Sequence, residues 1–344
     1  MGRTALILIM GLGFGFGYIS SQIRSAMDLL TASQEGYYKY AMARNIARVA
    51  IHRSLRYIDR NATVANYTPP TTGSFNGCSY TASTTISADT MWLNVSGTYA
   101  DSTYYMRTKL LMGTKPFPTV TGAIGVRASP LDLTMTGGAS VDGRNYDSTG
   151  TALDPNCPNK PGFAVMNSSD SSTVVHTSTN IYGSQKAKVD TSTQDPGAFI
   201  DEYEANADTV INAPGVYGGQ RTFGTSSNPW ITVINAGEDT SFSIKFTGGT
   251  SGWGVLAING NVWFAGGIDF HGLVVVYGRN NIVDFTSTGT PKIVGGLIVA
   301  GRAASLTLKG TGSSGGKVAY SCQALNKAKN LTKLRYYAVQ EWYE

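Results

Sequence analysis

The three histidines, His52, His176 and His271, fall in three separate segments, and none belongs to a nucleophile or metal motif such as GxSxG or HExxH. His271 follows Asp269 by two, so on one strand both would project to the same face, the placement an acid–base pair would need. The adjoining Gly272 and the apolar run Leu273-Val-Val-Val-Tyr277 predict instead a packed, hydrogen-bonded histidine. Asp201, Glu204 and Asp208 share one face of a short helix expected over 198–208, where a solvated acidic surface is the simpler reading than a cation site. No pair of carboxylates with adjacent basic residues emerges by spacing, so a glycan-cleaving β-helix enzyme is the weakest of the function classes considered.

One loop has ligand potential. Val141-Asp-Gly-Arg-Asn-Tyr-Asp-Ser-Thr-Gly150 offers Asp142, Asn145 and Asp147 as oxygen donors of the type Ca²⁺ takes, without the ligand order of an EF-hand. The competing expectation is a turn held by Asx hydrogen bonds. No other cofactor is suggested. The glycines at 11, 13, 15 and 17 imitate a nucleotide loop, but no strand precedes them and the spacing is not GxGxxG.

Three cysteines cannot all pair within the chain. One disulfide plus one thiol suits a compartment outside the cytosol. Cys78 and Cys157, both in loops rich in Pro, Gly and Asn, are the expected pair, with Cys322 as a small buried residue.

The elements that would carry these groups begin with one long helix. Thr4 to Ile23 is a run of 20 residues without a charge, roughly 30 Å of helix and enough to cross a bilayer core. No proline interrupts the pattern before Pro69, so the helix is expected to run to Arg60. The n-region is only Met-Gly-Arg and helical periodicity continues past the apolar run, which favours a retained anchor over a removable signal. Leu6, Ile7, Ile9, Leu12, Phe14, Phe16 and Ile19 are its expected apolar seam. Gly11, Gly13, Gly15 and Gly17 each cost about 1 kcal/mol of helix propensity against alanine, marking a stretch that unwinds or packs closely. Ala43, Ile46, Ala47, Ala50, Ser54, Tyr57 and Ile58 keep a small and apolar stripe at helical spacing, with arginines on the other faces.

Charge follows the same division. Residues 1–60 hold eight Lys/Arg against three acids and residues 61–344 hold 19 against 19, so the whole net charge of +5 sits on the helix. A nucleic-acid reader carries a basic stripe on its folded domain; here the arginines point to headgroups or to acidic faces of neighbouring subunits. Charged residues make up only 14% of the chain, with 41 glycines and 19 tyrosines, a composition that suits extracellular β-structure.

Residues 61–120 alternate apolar and polar positions and read as antiparallel strands packed on the helix. From 121 to 344 short apolar runs end in glycine turns: Leu131–Met135, Val255–Ile258, Leu273–Tyr277, Leu297–Ala300 and Leu306–Leu308. Gly272-Leu-Val-Val-Val-Tyr-Gly278 and Gly296-Leu-Ile-Val-Ala-Gly301 are near copies. Recurrence every 20–25 residues is the mark of β-solenoid rungs, with a β-sandwich as the alternative. A helix over 320–329 and a closing strand over 333–343 complete the expected α+β fold.

At this level the chain resembles type IV pilins and PilX-like pilin-related proteins. The resemblance rests on Gly2-Arg-Thr-Ala-Leu-Ile7, Ala43-Arg-Asn-Ile-Ala47, Asp142-Gly-Arg-Asn-Tyr-Asp147, Gly254-Val-Leu-Ala-Ile-Asn-Gly260, Phe270-His-Gly-Leu-Val-Val-Val276, Tyr320-Ser-Cys-Gln-Ala-Leu325 and Trp342-Tyr-Glu344. It implies a non-enzymatic subunit, anchored in the inner membrane before assembly, whose helices bundle into the core of a surface fibre with the β domains outside. It implies pilus assembly machinery as a partner, self-association into a helical filament, and a role in adhesion or motility. It also implies processing after Gly2, which would leave Arg3 at the mature start. Ile7 then falls where the family carries a glutamate, and an uncharged residue there resembles certain tip-located minor subunits. The alternative reading is a monomeric, membrane-tethered adhesin that binds surface glycans through a tyrosine-rich face.

Overall fold

The computed structural model describes residues 2–61, 72–87, 89–177, 179–192, 197–212, 215–237, 243–278, 280–286, 292–309 and 316–343. Pro69, Pro196, the Gly310 turn and Glu344 lie outside them. The fold is α+β: a long N-terminal helix, then β-rich structure. It divides into two units, residues 1–113 with 336–344, and residues 114–335.

In the first unit, helix α1 (Gly2–Asn61) is continuous. Its later part packs on an antiparallel sheet of β1 (Thr72–Phe75), β2 (Cys78–Ser87), β3 (Thr90–Tyr99) and β4 (Ser102–Thr114), with the C-terminal strand Arg335–Tyr343 beside β4. Alternation decides which sheet face meets the helix. Tyr80 and Ala82, then Met91, Leu93 and Val95, then Met106, Thr108 and Leu110 are buried, while the residues alternating with them face outward. From the helix come Ala43, Ile46, Ala47, Ala50, Ile51 and Ile58. The small residues let the two backbones approach. A Cβ added at Gly97 would lie 2.4 Å from the Ala43 carbonyl oxygen and 2.6 Å from the Ala47 nitrogen. Lys39 bonds Glu35 at 2.8 Å and Asp101 at 3.2 Å, pinning the helix to the turn after β3.

The named strands of the second unit pair in parallel, and the apolar runs read from the sequence all lie in those strands. Trp230 stands opposite Gly254, Gly254 opposite Gly272, and Gly272 opposite Gly295, so successive partners lie 24, 18 and 23 residues apart. Leu273 to Val276 are fully buried, as expected of strands covered on both faces. Phe246 stacks on Phe264 at 5.4 Å and meets Phe223 edge-on, filling the interior with aromatic rings.

The near copies beginning at Gly272 and Gly296 do not pair as their sequences align. Gly272 faces Gly295 and Leu273 faces Gly296, one residue out of step. The backbone explains it. Gly254, Gly272 and Gly295 have φ of 120°, 134° and 137°, a region closed to residues with a Cβ, and these three positions stack. A Cβ on Gly272 would meet the Gly254 carbonyl oxygen at 2.0 Å, and one on Gly295 the Gly272 oxygen at 2.0 Å. Backbone conformation, not side-chain likeness, sets this register.

The expected Cys78–Cys157 disulfide is corrected. Cys157 bonds Cys322 across 165 residues, and Cys78 is a buried thiol facing the helix in the first unit's core. The alternation that turns Cys78 inward with Tyr80 and Ala82 removes it from any loop. Cys322→Ser is expected to destabilise the second unit by about 2–5 kcal/mol, since the bridge closes a long loop in the unfolded chain. Peptide mapping without reduction should recover 157 joined to 322; recovery of 78 joined to 157 would contradict this arrangement.

Candidate functional site: the exposed helix and the clamped loop

Gly2 to Tyr38 are exposed along the whole first part of α1, while Ala43 onward is held against the sheet. The helix is long and apolar enough to cross a membrane by length and composition, with mean hydropathy 1.6 in its most apolar window. Leu6, Ile7, Ile9, Leu12, Phe14, Phe16 and Ile19 are all at least half exposed, with Phe14 at 79%. At about 100° per residue these seven side chains spread round the circumference and do not form one line. The expectation of a single seam is therefore replaced by a helix that is apolar on every side, the pattern of a segment surrounded by apolar material. Gly11, Gly13, Gly15 and Gly17 are helical, and a Cβ at any of them would meet nothing within 4 Å. Nothing within the chain requires them to be glycine. Gly2, the implied processing position, begins the helix and is equally free of neighbours.

The loop that offered a calcium site is committed to protein partners. The Asp142 carboxylate accepts from the Arg144 guanidinium at 2.7 Å and from the Tyr146 hydroxyl at 2.8 Å. Asn145 is buried; its Nδ2 donates to the Asp154 carbonyl at 2.8 Å and its Oδ1 accepts from the Cys322 backbone N–H at 2.9 Å. Asp147 accepts from the Thr151 N–H at 2.9 Å and from the Thr149 hydroxyl, closing an Asx-type turn. The three donors serve three different sets of hydrogens. Among the described residues no three His, Cys, Asp or Glu side chains gather as a metal set.

This loop instead grips the helix Cys322–Lys329. Ser321 caps it, accepting from the Ala324 N–H and donating to the Asp147 carbonyl at 3.1 Å. Gln323 bonds Asp154 at 2.7 Å, and the disulfide lies beside these contacts. Asp142–Asp147 and Tyr320–Leu325, far apart in sequence, are thus one structural piece.

The electrostatics of that piece, together with Asp190 elsewhere in the second unit, give the unit a pH dependence. Burial pushes the Asp142 carboxyl up, but bonds from Arg144 and Tyr146 outweigh it and hold it below the usual value. Asp147 and Asp190 work against desolvation too, and their backbone and hydroxyl donors bring each to about 2. A depressed folded value stabilises above the unfolded value and is lost as pH falls through the folded one. Melting temperature should therefore hold from pH 7 to about 5 and fall between about 4 and 2. Asp147→Asn with Asp190→Asn should flatten that fall; an unchanged slope would assign it elsewhere.

His271 is a packed histidine. Its Nδ1 lies 2.8 Å from the Ser148 carbonyl, its Nε2 3.0 Å from Asp269, and its ring stacks 4.2 Å from Trp253. His176 bonds the Ser172 carbonyl one turn back in its own helix, and His52 lies against Trp342. Each imidazole is held by partners of its own. Asp201 and Glu204 lie on the helix Gly197–Glu204, which ends before Asp208; Asp208 pairs with Lys333 and accepts from the Ile231 N–H.

Sequence reasoning missed the outer face of the first sheet. Register aligns Ser83, Asn94 and Arg107 across three strands, with Thr81, Ser96 and Tyr105 in the next outward row. Arg107 lies 3.6 Å over the Trp92 ring, and Tyr343 lies 5.9 Å from the same ring. The alternating polar and aromatic positions of β3 and β4 carried the signal, but only cross-strand register makes them neighbours.

No protein-family model matches the chain, and no curated protein does. Among solved structures it is similar to the competence-associated pilin ComZ from Thermus thermophilus, at 13% identity and a TM-score of 0.22, with 91% of this chain and 97% of that one covered.

Proposed function

We propose that the chain is a non-enzymatic, pilin-like structural subunit of an extracellular type IV pilus-like filament, major or minor, serving adhesion or motility. One observation carries the reading. A single helix is buried against a sheet over its later part, exposed from Gly2 to Tyr38, and uncharged and apolar on all sides from Thr4 to Ile19 within that exposed part. Lipid satisfies such a surface before assembly and sister helices satisfy it afterwards. Gly11 to Gly17 leave room for close helix approach or local unwinding on leaving the inner membrane.

Residues 1–60 are then the anchor and assembly helix, 61–120 the β-rich region packed on it, and 121–344 the ectodomain. The parallel strands recurring at 18–24 residues support reading that ectodomain as solenoid-containing. PilX-like kinship, cleavage after Gly2 and engagement of pilus assembly machinery belong to the same proposal. Negative-stain microscopy of sheared surface material, labelled with antibody to the ectodomain, tests it. Label along or at the tip of filaments is expected. Detergent-dependent monomers with no filament label would favour the tethered glycan-binding adhesin instead.

A further inference from the structure

The helix-facing side of the first sheet is closed by α1, but its other side is an open polar face. Across it lies a shallow depression of about 500 Å³ lined by Thr81, Ser83, Asn94, Ser96, Tyr105, Arg107 and Tyr343, among others. Its charge is unbalanced at one point. Glu341, the nearby carboxylate, is already used: Lys109 pairs with it at 3.5 Å and the Tyr343 hydroxyl donates to it. Arg107 has no carboxylate partner among the described residues. Its guanidinium carbon lies 3.6 Å over the Trp92 ring, a contact that holds the group in place. A fork of donors held in place, with no carboxylate partner among the described residues, is a receptor for a planar anion, a carboxylate above all.

The rest of the floor narrows the ligand. Ser83 and Asn94 continue the row of Arg107, and Thr81 and Ser96 lie one row along, their hydroxyl oxygens 2.6 Å apart. Hydroxyl and amide groups at strand spacing match a molecule bearing many hydroxyls. Tyr105, 74% exposed, offers a ring face beside them for the C–H side of a sugar. A nucleic acid strand would ask for a succession of cations to follow its phosphates. Among the described residues this face supplies one cation without a carboxylate partner, Arg107, and one already neutralised, Lys109.

We infer that the outer face of this sheet binds a carboxylated sugar residue of an acidic polysaccharide, with the Arg107 fork on the carboxylate and Tyr105, Ser83, Asn94 and Ser96 on the ring and its hydroxyls. This deepens the adhesive role proposed above and places its ligand on the first unit. The two readings fail separately: a chain unable to form filaments still binds the sugar, and filaments lacking the site still assemble.

The test uses the full-length chain in detergent, titrated calorimetrically with a tetramer of galacturonic acid, its carboxyl-reduced counterpart and an oligothymidylate. The acidic tetramer is expected to bind at least roughly tenfold more tightly than the reduced one, the scale of a charge-assisted bond. Arg107→Gln should lose roughly tenfold or more, and Arg107→Lys, which keeps the charge and the packing on Trp92, an intermediate amount. The melting temperature of each variant, expected unchanged at this exposed position, shows that the sheet is folded. Absence of binding, equal binding of the reduced tetramer, or full binding by folded Arg107→Gln would each overturn the assignment. Tighter binding of the oligothymidylate, lost in Arg107→Gln, would overturn the sugar in favour of nucleic acid.

Discussion

Replacing Ile7 and Phe14 together by aspartate leaves both β-rich units folded and abolishes filaments. Neither side chain belongs to a buried core; both stand exposed on the first part of α1. Their loss therefore removes nothing from either core. In an apolar surrounding the cost is large, since a carboxylate near the centre of a membrane helix costs about 3 kcal/mol on insertion scales. Two such charges, repeated in every copy of a bundle, exceed what neighbouring helices regain by packing. Circular dichroism of the detergent-solubilised variant should match the parent, while surface preparations should contain no fibres. Normal fibres from this variant would contradict the assembly role of the segment.

Gly272→Ala is expected to unfold the second unit or destabilise it by about 3 kcal/mol or more, among the largest effects of a single methyl group. Two penalties coincide there. The φ of 134° is one that residues with a Cβ rarely adopt. The added carbon would also stand 2.0 Å from the Gly254 carbonyl oxygen, on a backbone held by strand pairing to Trp230 on one side and Gly272 on the other. Relief requires separating strands whose apolar residues are fully buried. Gly267→Ala is the control, because nothing lies within 4 Å of its added carbon. Thermal unfolding should show a collapse for the first variant and a near-parental transition for the second. Equal stability of the two would show that the glycine stack does not hold the register.

Much of this architecture is legible in the sequence because it depends on local periodicity. The run Thr4–Ile23 announces an apolar helix, and the stripe from Ala43 to Ile58 announces the face that meets a sheet; the buried residues of α1 follow it except that Tyr57 is exposed and Ile51 joins the face. The apolar runs before glycines become strands for the same reason. What escaped depends on contacts distant in sequence. Cys157 and Cys322 meet only because a loop and a helix N-terminus 165 residues apart are bonded through Asn145 and Ser321. Spacing carries no trace of that. The pairing of Gly272 with Gly295 was hidden by the better side-chain likeness to Gly296, since φ is not written in residue type except as glycine itself. Arg107 and Trp92 lie on different strands, and neither stands out until register sets them together. The closing strand Arg335–Tyr343 was expected at a domain edge, but only the sheet order shows that it lies beside β4.

The central claim is that the apolar part of α1 stays with the finished subunit and is covered by other copies of itself. Intact mass and N-terminal sequencing of subunits recovered from sheared, purified filaments test it most directly. Subunits beginning at or immediately after Gly2, with Thr4 to Ile23 retained, are the predicted result. Recovery of the native protein only as dissolved single particles beginning downstream of Ile23 would contradict it.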